Sequence, residues 1–100
     1  MEILEFKGLL SFLILHELKY RSLNGVFLAE KIGKRRGSKL TPGTIYPALK
    51  KLRNKKLVSV SVKGREKYYK LTKKGESELN NQYKLFSRYF IGLKKYITRK

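Results

Sequence analysis

Apolar positions along this chain follow three different spacings, and each predicts a different kind of element. From Leu4 to Leu18 they crowd together: Leu9, Leu10, Phe12, Leu13, Ile14, Leu15 and Leu18 leave almost no polar side. That run predicts a first helix, Leu4 to Leu18, buried from more than one direction. His16, next to Glu17, reads as a histidine at the edge of the core rather than as a ligand. Lys19 to Leu23 forms a short polar connection. Ser22 or Asn24 can then cap a second helix through Val26, Phe27, Leu28, Ala29 and Ile32. Gly33 and Gly37 bracket Lys34-Arg35-Arg36 and end that helix, where its dipole favours cations. Those three cations are placed equally well to touch a phosphate or to lie in a solvated loop.

After the extended link Ser38-Lys39-Leu40, the spacing becomes cleanly helical. Thr41 is a capping residue, and Pro42 suits a first helical position because its φ is fixed and its missing N–H is not needed there. Ile45, Ala48, Leu49 and Leu52 recur at three- and four-residue steps and share one face. The opposite face carries Gly43, Pro47, Lys50 and Asn54, with Thr44, Tyr46 and Lys51 on the shoulders. Pro47 allows two readings. Either the helix starts at Pro42, runs to about Asn54 and kinks slightly over Gly43, or it starts late, with Thr44 as cap and Pro47 in its first turn. The first is preferred, because Gly43 has no Cβ to resist the adjustment.

The third spacing is alternation. Leu57-Val58-Ser59-Val60-Ser61-Val62 has period two, and Lys67-Tyr68-Tyr69-Lys70-Leu71 answers it. Pairing Val58 with Leu71, Val60 with Tyr69 and Val62 with Lys67 keeps one face apolar almost to the tip. It also leaves Gly64-Arg65 as a two-residue loop with Gly first, the signature of a type II′ hairpin. Helical spacing then returns. Thr72 can cap a last helix with Glu76 and Glu78 near its positive end, and Gly75 in the first turn costs up to about 1 kcal/mol against Ala. Leu79, Tyr83, Phe86, Phe90, Leu93 and Ile97 form a heptad-like seam, and Leu85, Tyr89 and Tyr96 form a second apolar edge beside it. A helix this long and aromatic needs a partner surface, and a second copy of the chain is the economical one. The expected interface is Leu9, Phe12 and Leu13 of the first helix with that six-residue seam. A pocket for a small aromatic effector between subunits is the alternative use of the stripe, although aromatic stripes at helical spacing usually serve packing.

Charge changes this picture most. The chain has 100 residues, 25 Lys+Arg against 7 acidic residues, a net charge of +18 and a pI near 10.3. Such an excess predicts a polyanionic partner, with nucleic acid ahead of an anionic membrane surface. The bland alternative, a Lys-rich solvated surface, would balance Lys with Glu, and this chain does not. There is no Cys, Asp or Trp and only one His. Disulfide frameworks, thiolate metal sites, Ser/His/Asp and Cys/His arrangements and aspartate dyads are therefore out of reach. The inventory predicts no enzyme, no cofactor and no metal. No segment approaches the roughly 18 to 20 consecutive apolar residues that span a bilayer. The acidic start Met1-Glu2-Ile3-Leu4-Glu5 lacks the look of a secretion signal. A cytoplasmic, nucleoid-associated protein is expected.

The order helix, helix, turn, helix, basic hairpin is a helix-turn-helix followed by a wing. The predicted fold is mainly α with a small β-hairpin wing. Residues 1–72 form a winged helix-turn-helix domain, and residues 73–100 form a long C-terminal dimerisation helix. A helix with an apolar back and a basic, hydroxyl-rich front suits the major groove. The wing tip Lys63-Gly64-Arg65-Glu66-Lys67 places Arg65 for a minor groove.

The residues so assembled resemble the PadR family of winged helix-turn-helix transcriptional regulators. The resemblance rests on Leu40-Thr41-Pro42-Gly43-Thr44-Ile45-Tyr46-Pro47-Ala48-Leu49, the spacing Leu52 to Leu57-Val58, and the block from Gly64 through Tyr68-Tyr69-Lys70-Leu71-Thr72-Lys73-Lys74-Gly75. Asn24-Gly25 with Leu28-Ala29 matches more loosely, and the similarity covers roughly Leu9 to Leu79. It implies a dimeric repressor whose third helix enters the major groove while the wing reaches the minor groove, dimerising through the first and last helices. It implies DNA-facing roles for Thr41, Gly43, Thr44, Tyr46, Pro47, Lys50, Lys51, Arg65 and Lys67. The chain departs from the family in three places. Lys56 stands where the family usually has a helix-ending Gly, so that turn is expected to be strained or reshaped. Phe27 replaces a commonly acidic residue. The wing is short and the C-terminal region is a single helix, as in smaller members.

The expectation is a homodimeric, sequence-specific regulator of transcription, a repressor by the resemblance, bound to double-stranded DNA. Gly43, Thr44 and Tyr46 approach base edges, while Lys39, Lys50, Lys51 and Lys70 hold phosphate and Lys63, Arg65 and Lys67 serve the wing. The first rival is a sequence-independent architectural DNA-binding protein. The second is a winged helix that binds RNA or protein.

Overall fold

The computed structural model describes residues 8–97 of the chain. Helix α1 spans Leu9–Glu17. The expected start at Leu4 lies outside the described residues, and within them Gly8 sets the boundary. Its φ of 82° is left-handed, a conformation an α-helix does not pass through. Ile14 and Leu15 are fully buried and Leu18 follows them into the core. His16 is half-buried, as expected of a core-edge histidine, with Nδ1 2.5 Å from the Tyr83 hydroxyl.

The polar connection expected through Leu23 instead ends in a short strand, β1, Leu23–Asn24. Helix α2 spans Gly25–Arg36, and Asn24 is its cap: the side-chain oxygen accepts the Phe27 N–H at 2.8 Å. Gly33 does not end this helix, contrary to expectation. It lies inside, buried, where a Cβ would stand 3.1 Å from the Ser38 carbonyl. Gly37 ends the helix in left-handed conformation, and its N–H and that of Ser38 both return to the Gly33 carbonyl.

Helix α3 runs Pro42–Asn54 with Pro47 in its interior, which settles the choice of start in favour of Pro42. Thr41 occupies the cap position, but its hydroxyl faces the Thr44 hydroxyl at 3.3 Å and caps no backbone N–H. Its carbonyl accepts from Thr44 and Ile45 instead. At the other end the Leu57 N–H bonds the Leu52 carbonyl and the Lys56 N–H bonds the Arg53 carbonyl, with Lys56 at φ 66°. This is a Schellman turn with lysine in the glycine position.

Strands β2 (Val58–Lys63) and β3 (Glu66–Leu71) form the hairpin in the expected register: Val58 opposite Leu71, Val60 opposite Tyr69, Val62 opposite Lys67. Gly64 has φ 63° and Arg65 does not share the positive sign, as a type II′ turn requires. Leu23 pairs with Tyr69 and Asn24 with Tyr68, so the sheet has three strands in the order β1-β3-β2.

Helix α4 spans Lys73–Tyr89. Thr72 caps it by accepting the Gly75 N–H at 2.9 Å, and the same hydroxyl donates to the Lys56 carbonyl at 2.7 Å. The C-terminal region is not one continuous helix. The chain turns after Phe90, Gly92 adopts φ 80°, and a short helix α5 follows over Lys94–Ile97. The core joins Ile14, Leu15, Leu28, Ile32, Ile45, Leu49 and Leu79, all essentially inaccessible. Among the described residues no buried side-chain polar atom lacks a partner.

Candidate nucleic-acid interface

Burial of Ile45, Leu49 and Leu52 against α1 and α2 fixes what α3 turns outward. Gly43, Pro47, Lys50 and Asn54 are exposed on the opposite face, with Thr41 and Thr44 at its N-terminal end and Lys39 just before it. The two shoulders go different ways. Lys51 leans to the α1/α4 side, where it lines a cleft with Ser11, Lys55, Lys74 and Glu78. Tyr46 leans to the α2 side, 40% exposed, with its ring over Gly25.

Arg53 stands seven residues, about two turns, after Tyr46 and so on the same shoulder. Both bear on Tyr69 of β3. Burial pushes the Tyr69 phenol above its usual 10.0, Tyr46 raises it further, and the Arg53 guanidinium pulls the other way. Tyr46 and Arg53 thus lie near enough to Tyr69 for its ionisation to feel both. Sequence reading missed Arg53, although its spacing from Tyr46 was the available signal.

Lys63, Arg65, Lys67 and Lys70 of the hairpin are all exposed, but they do not share a face. Lys67 lies opposite Val62 on the side of Tyr69 and Leu71. Lys70, opposite Ser59, belongs to the other side, together with Lys63, whose ammonium sits 5.8 Å from the Tyr68 ring centre. The structure therefore does not bring Lys70 onto the side that holds Lys67.

A groove of about 470 Å³ separates α2 from α3, walled by Val26, Ala29, Leu40, Pro42, Ile45 and Tyr46. Among the described residues no cluster of His, Cys, Asp or Glu could hold a metal ion, and no helix is long and apolar enough to cross a membrane.

The residues expected at a subunit interface divide into three groups. Leu79 is 1% exposed and belongs to the protomer's own core, so it offers nothing to a partner. Leu9, Phe12, Leu13, Tyr83 and Phe86 are half-buried. Within this group Phe12 meets Tyr83 edge-on at 5.6 Å and Phe86 at 4.6 Å between ring centres. Phe90, Leu93 and Ile97 are exposed, in company with Leu85, Tyr89, Ile91 and Tyr96.

Residues 14–81 match the model of the transcriptional regulator PadR-like family. No curated protein matches the chain. A PadR-like transcription factor from Bacteroides fragilis is 29% identical, with 90% of this chain and 91% of that one aligned at a TM-score of 0.77. A PadR family transcription regulator from Clostridium difficile R20291 is 26% identical over 91% of this chain and 100% of that one, at a TM-score of 0.76. A PadR-like transcriptional regulator from Bacillus cereus, at 24% identity, shares the fold at a TM-score of 0.81 over 94% and 96% of the two chains. A family match over more than half the chain, on a winged helix-turn-helix with an exposed basic third helix, has one meaning: the chain belongs to the PadR-like family of transcriptional regulators.

Proposed function

We propose that this regulator is a homodimeric, sequence-specific repressor that reads double-stranded DNA with α3 in the major groove and the hairpin at the minor groove. One observation carries the reading: α3 is anchored by Ile45, Leu49 and Leu52 and presents an unobstructed front of Gly43, Pro47 and Lys50. Gly43 and Thr44 approach base edges, where the absence of a side chain at 43 lets backbone come close. Lys39, Thr41, Lys50 and Lys51 hold phosphate and set the register. Lys63, Arg65 and Lys67 carry the wing contact, with Lys70 a backbone contact at most. Tyr46 serves chiefly to hold α3 against α2, since its ring already lies over Gly25. Phe90, Leu93 and Ile97, continued by the half-buried Leu9, Phe12, Leu13, Tyr83 and Phe86, form the surface between copies.

The test is selection of bound duplexes from a random pool at physiological salt, followed by competition with excess random DNA. A two-fold pair should enrich an inverted repeat with half-sites about one helical turn apart, and the selected site should survive competition. Enrichment of no site, with all binding lost to competitor, would instead identify a sequence-independent coating protein.

A further inference from the structure

Glu66 is the one acid in the hairpin tip Lys63-Gly64-Arg65-Glu66-Lys67, and its charge opposes any polyanion the tip approaches. Its carboxylate is turned away to a specific partner. Oε1 accepts a hydrogen bond from Asn24 Nδ2 at 2.8 Å, across 42 residues of chain. The other end of that amide is also in use: Asn24 Oδ1 accepts the Phe27 N–H at 2.8 Å and caps α2. Asn24 is moreover the last residue of β1, paired with Tyr68. On that side of β3 the backbone ladder stops there. Glu66 lies two residues further out, opposite Lys63 and next to the turn. The side-chain bond therefore holds the hairpin beyond the point where backbone pairing with β1 ends.

We propose that Asn24 is a positioning residue that braces the wing against the helix-turn-helix through Glu66, so that one amide sets both where α2 begins and where the wing tip stands. The affinity consequence rests on the wing contacting DNA; the brace itself does not.

The donor and acceptor can be exchanged to test this. N24D keeps an oxygen for the α2 cap, removes the amino donor and faces a carboxylate with a carboxylate. In N24D/E66Q the donor comes from position 66 and the acceptor from position 24, at the parent's formal charge. In the free protein, hydrogen exchange of the Lys63–Lys67 amides should quicken roughly three- to tenfold in N24D and in E66A, the range a single net hydrogen bond implies. It should return to the parent rate in N24D/E66Q. Affinity for the selected duplex should fall by a similar factor in N24D and recover in the double variant. Unchanged exchange in N24D and E66A, or no recovery in the double variant, would overturn the brace. If the parent bound no duplex, the DNA reading would fall, and the exchange data would still decide the brace on their own.

Discussion

The phenol of Tyr46 stands over the α-carbon of Gly25, so close that a Cβ added there would lie 2.6 Å from both Cε1 and the hydroxyl oxygen. The first residue of α2 must be small for reasons of space, and α3 is the element that occupies the space. In Gly25→Ala the Tyr46 ring, the far end of a movable side chain, must swing away. Overpacking of this kind should cost about 1 kcal/mol in urea unfolding. Gly25→Ala and Tyr46→Ala should each lower affinity for the selected duplex, and together they should cost less than the sum. Fully additive losses would show that the two residues do not act through each other.

Lys50→Ala and Lys51→Ala should weaken selected and random duplex alike. Each should also reduce the slope of log affinity against log salt by about 1 if it holds one phosphate. Lys51, on the α1/α4 shoulder, is the more stringent case; an unchanged slope would remove it from the contact set.

Gly75 meets backbone where Gly25 meets a side chain. A Cβ there would stand 2.0 Å from the Leu57 carbonyl oxygen, which also accepts the Thr72 N–H. Neither atom is free to move, so Gly75→Ala should destabilise by about 3 kcal/mol or more, seen as a fall in Tm above roughly 10 °C.

Lys56 is the only described residue other than glycine with positive φ, and it sits at the Schellman position that closes α3. Left-handed backbone costs an L residue about 1–2 kcal/mol, while glycine carries a somewhat smaller entropic cost in the unfolded chain. Lys56→Gly should therefore stabilise by about 0.5–1 kcal/mol, and Lys56→Val should destabilise. Equal midpoints for the three proteins in urea would contradict the strain.

Tyr69 sets an alkaline limit. Its folded-state value lies above the ordinary 10.0, chiefly through burial. The unfolded chain thus releases this proton first, and stability falls as pH climbs from 10.0 toward the folded value. Below 10.0 the contribution is fully present. Tyr69→Phe removes the effect, so its unfolding free energy should decline less steeply than the parent's in that alkaline window.

What could be read in advance was whatever two local signals agreed upon. The hairpin register followed from alternation in Val58–Val62 and independently from the Gly64-Arg65 turn, and every pair was found. The α3 bounds followed from Thr41-Pro42 and the Ile45/Leu49/Leu52 spacing. Lys56 was a partial case: its departure from the usual helix-ending glycine left the turn either strained or reshaped, and lysine keeps the left-handed conformation at φ 66°. Single signals misled. Gly33 looked like a helix end, but glycine also marks close approach, and here the Ser38 backbone comes within 3.1 Å of where its Cβ would be. Leu23–Asn24 is too short to show a period, and its pairing depends on where Tyr68 and Tyr69 arrive from 44 and 46 residues away along the chain. The seam from Leu79 to Ile97 keeps its spacing straight through Gly92, yet the backbone does not. Leu79 began that seam on paper and lies in the core, since apolar spacing names a face and not its neighbour.

Arg35 with Glu17 is the one ion pair among the described residues, in a chain whose net charge is +18. With 25 Lys+Arg against 7 acidic residues, the free fold carries its own net repulsion as a standing load. Added salt should therefore raise the melting temperature of the unbound protein by screening that repulsion. The same salt loosens the complex, because each counterion that the phosphates release then gains less entropy of dilution. Ionic strength acts on this molecule with opposite signs, strengthening it when alone and freeing it when bound. Duplex DNA should act as a folding ligand whose benefit is greatest in dilute buffer, where the bare protein is weakest.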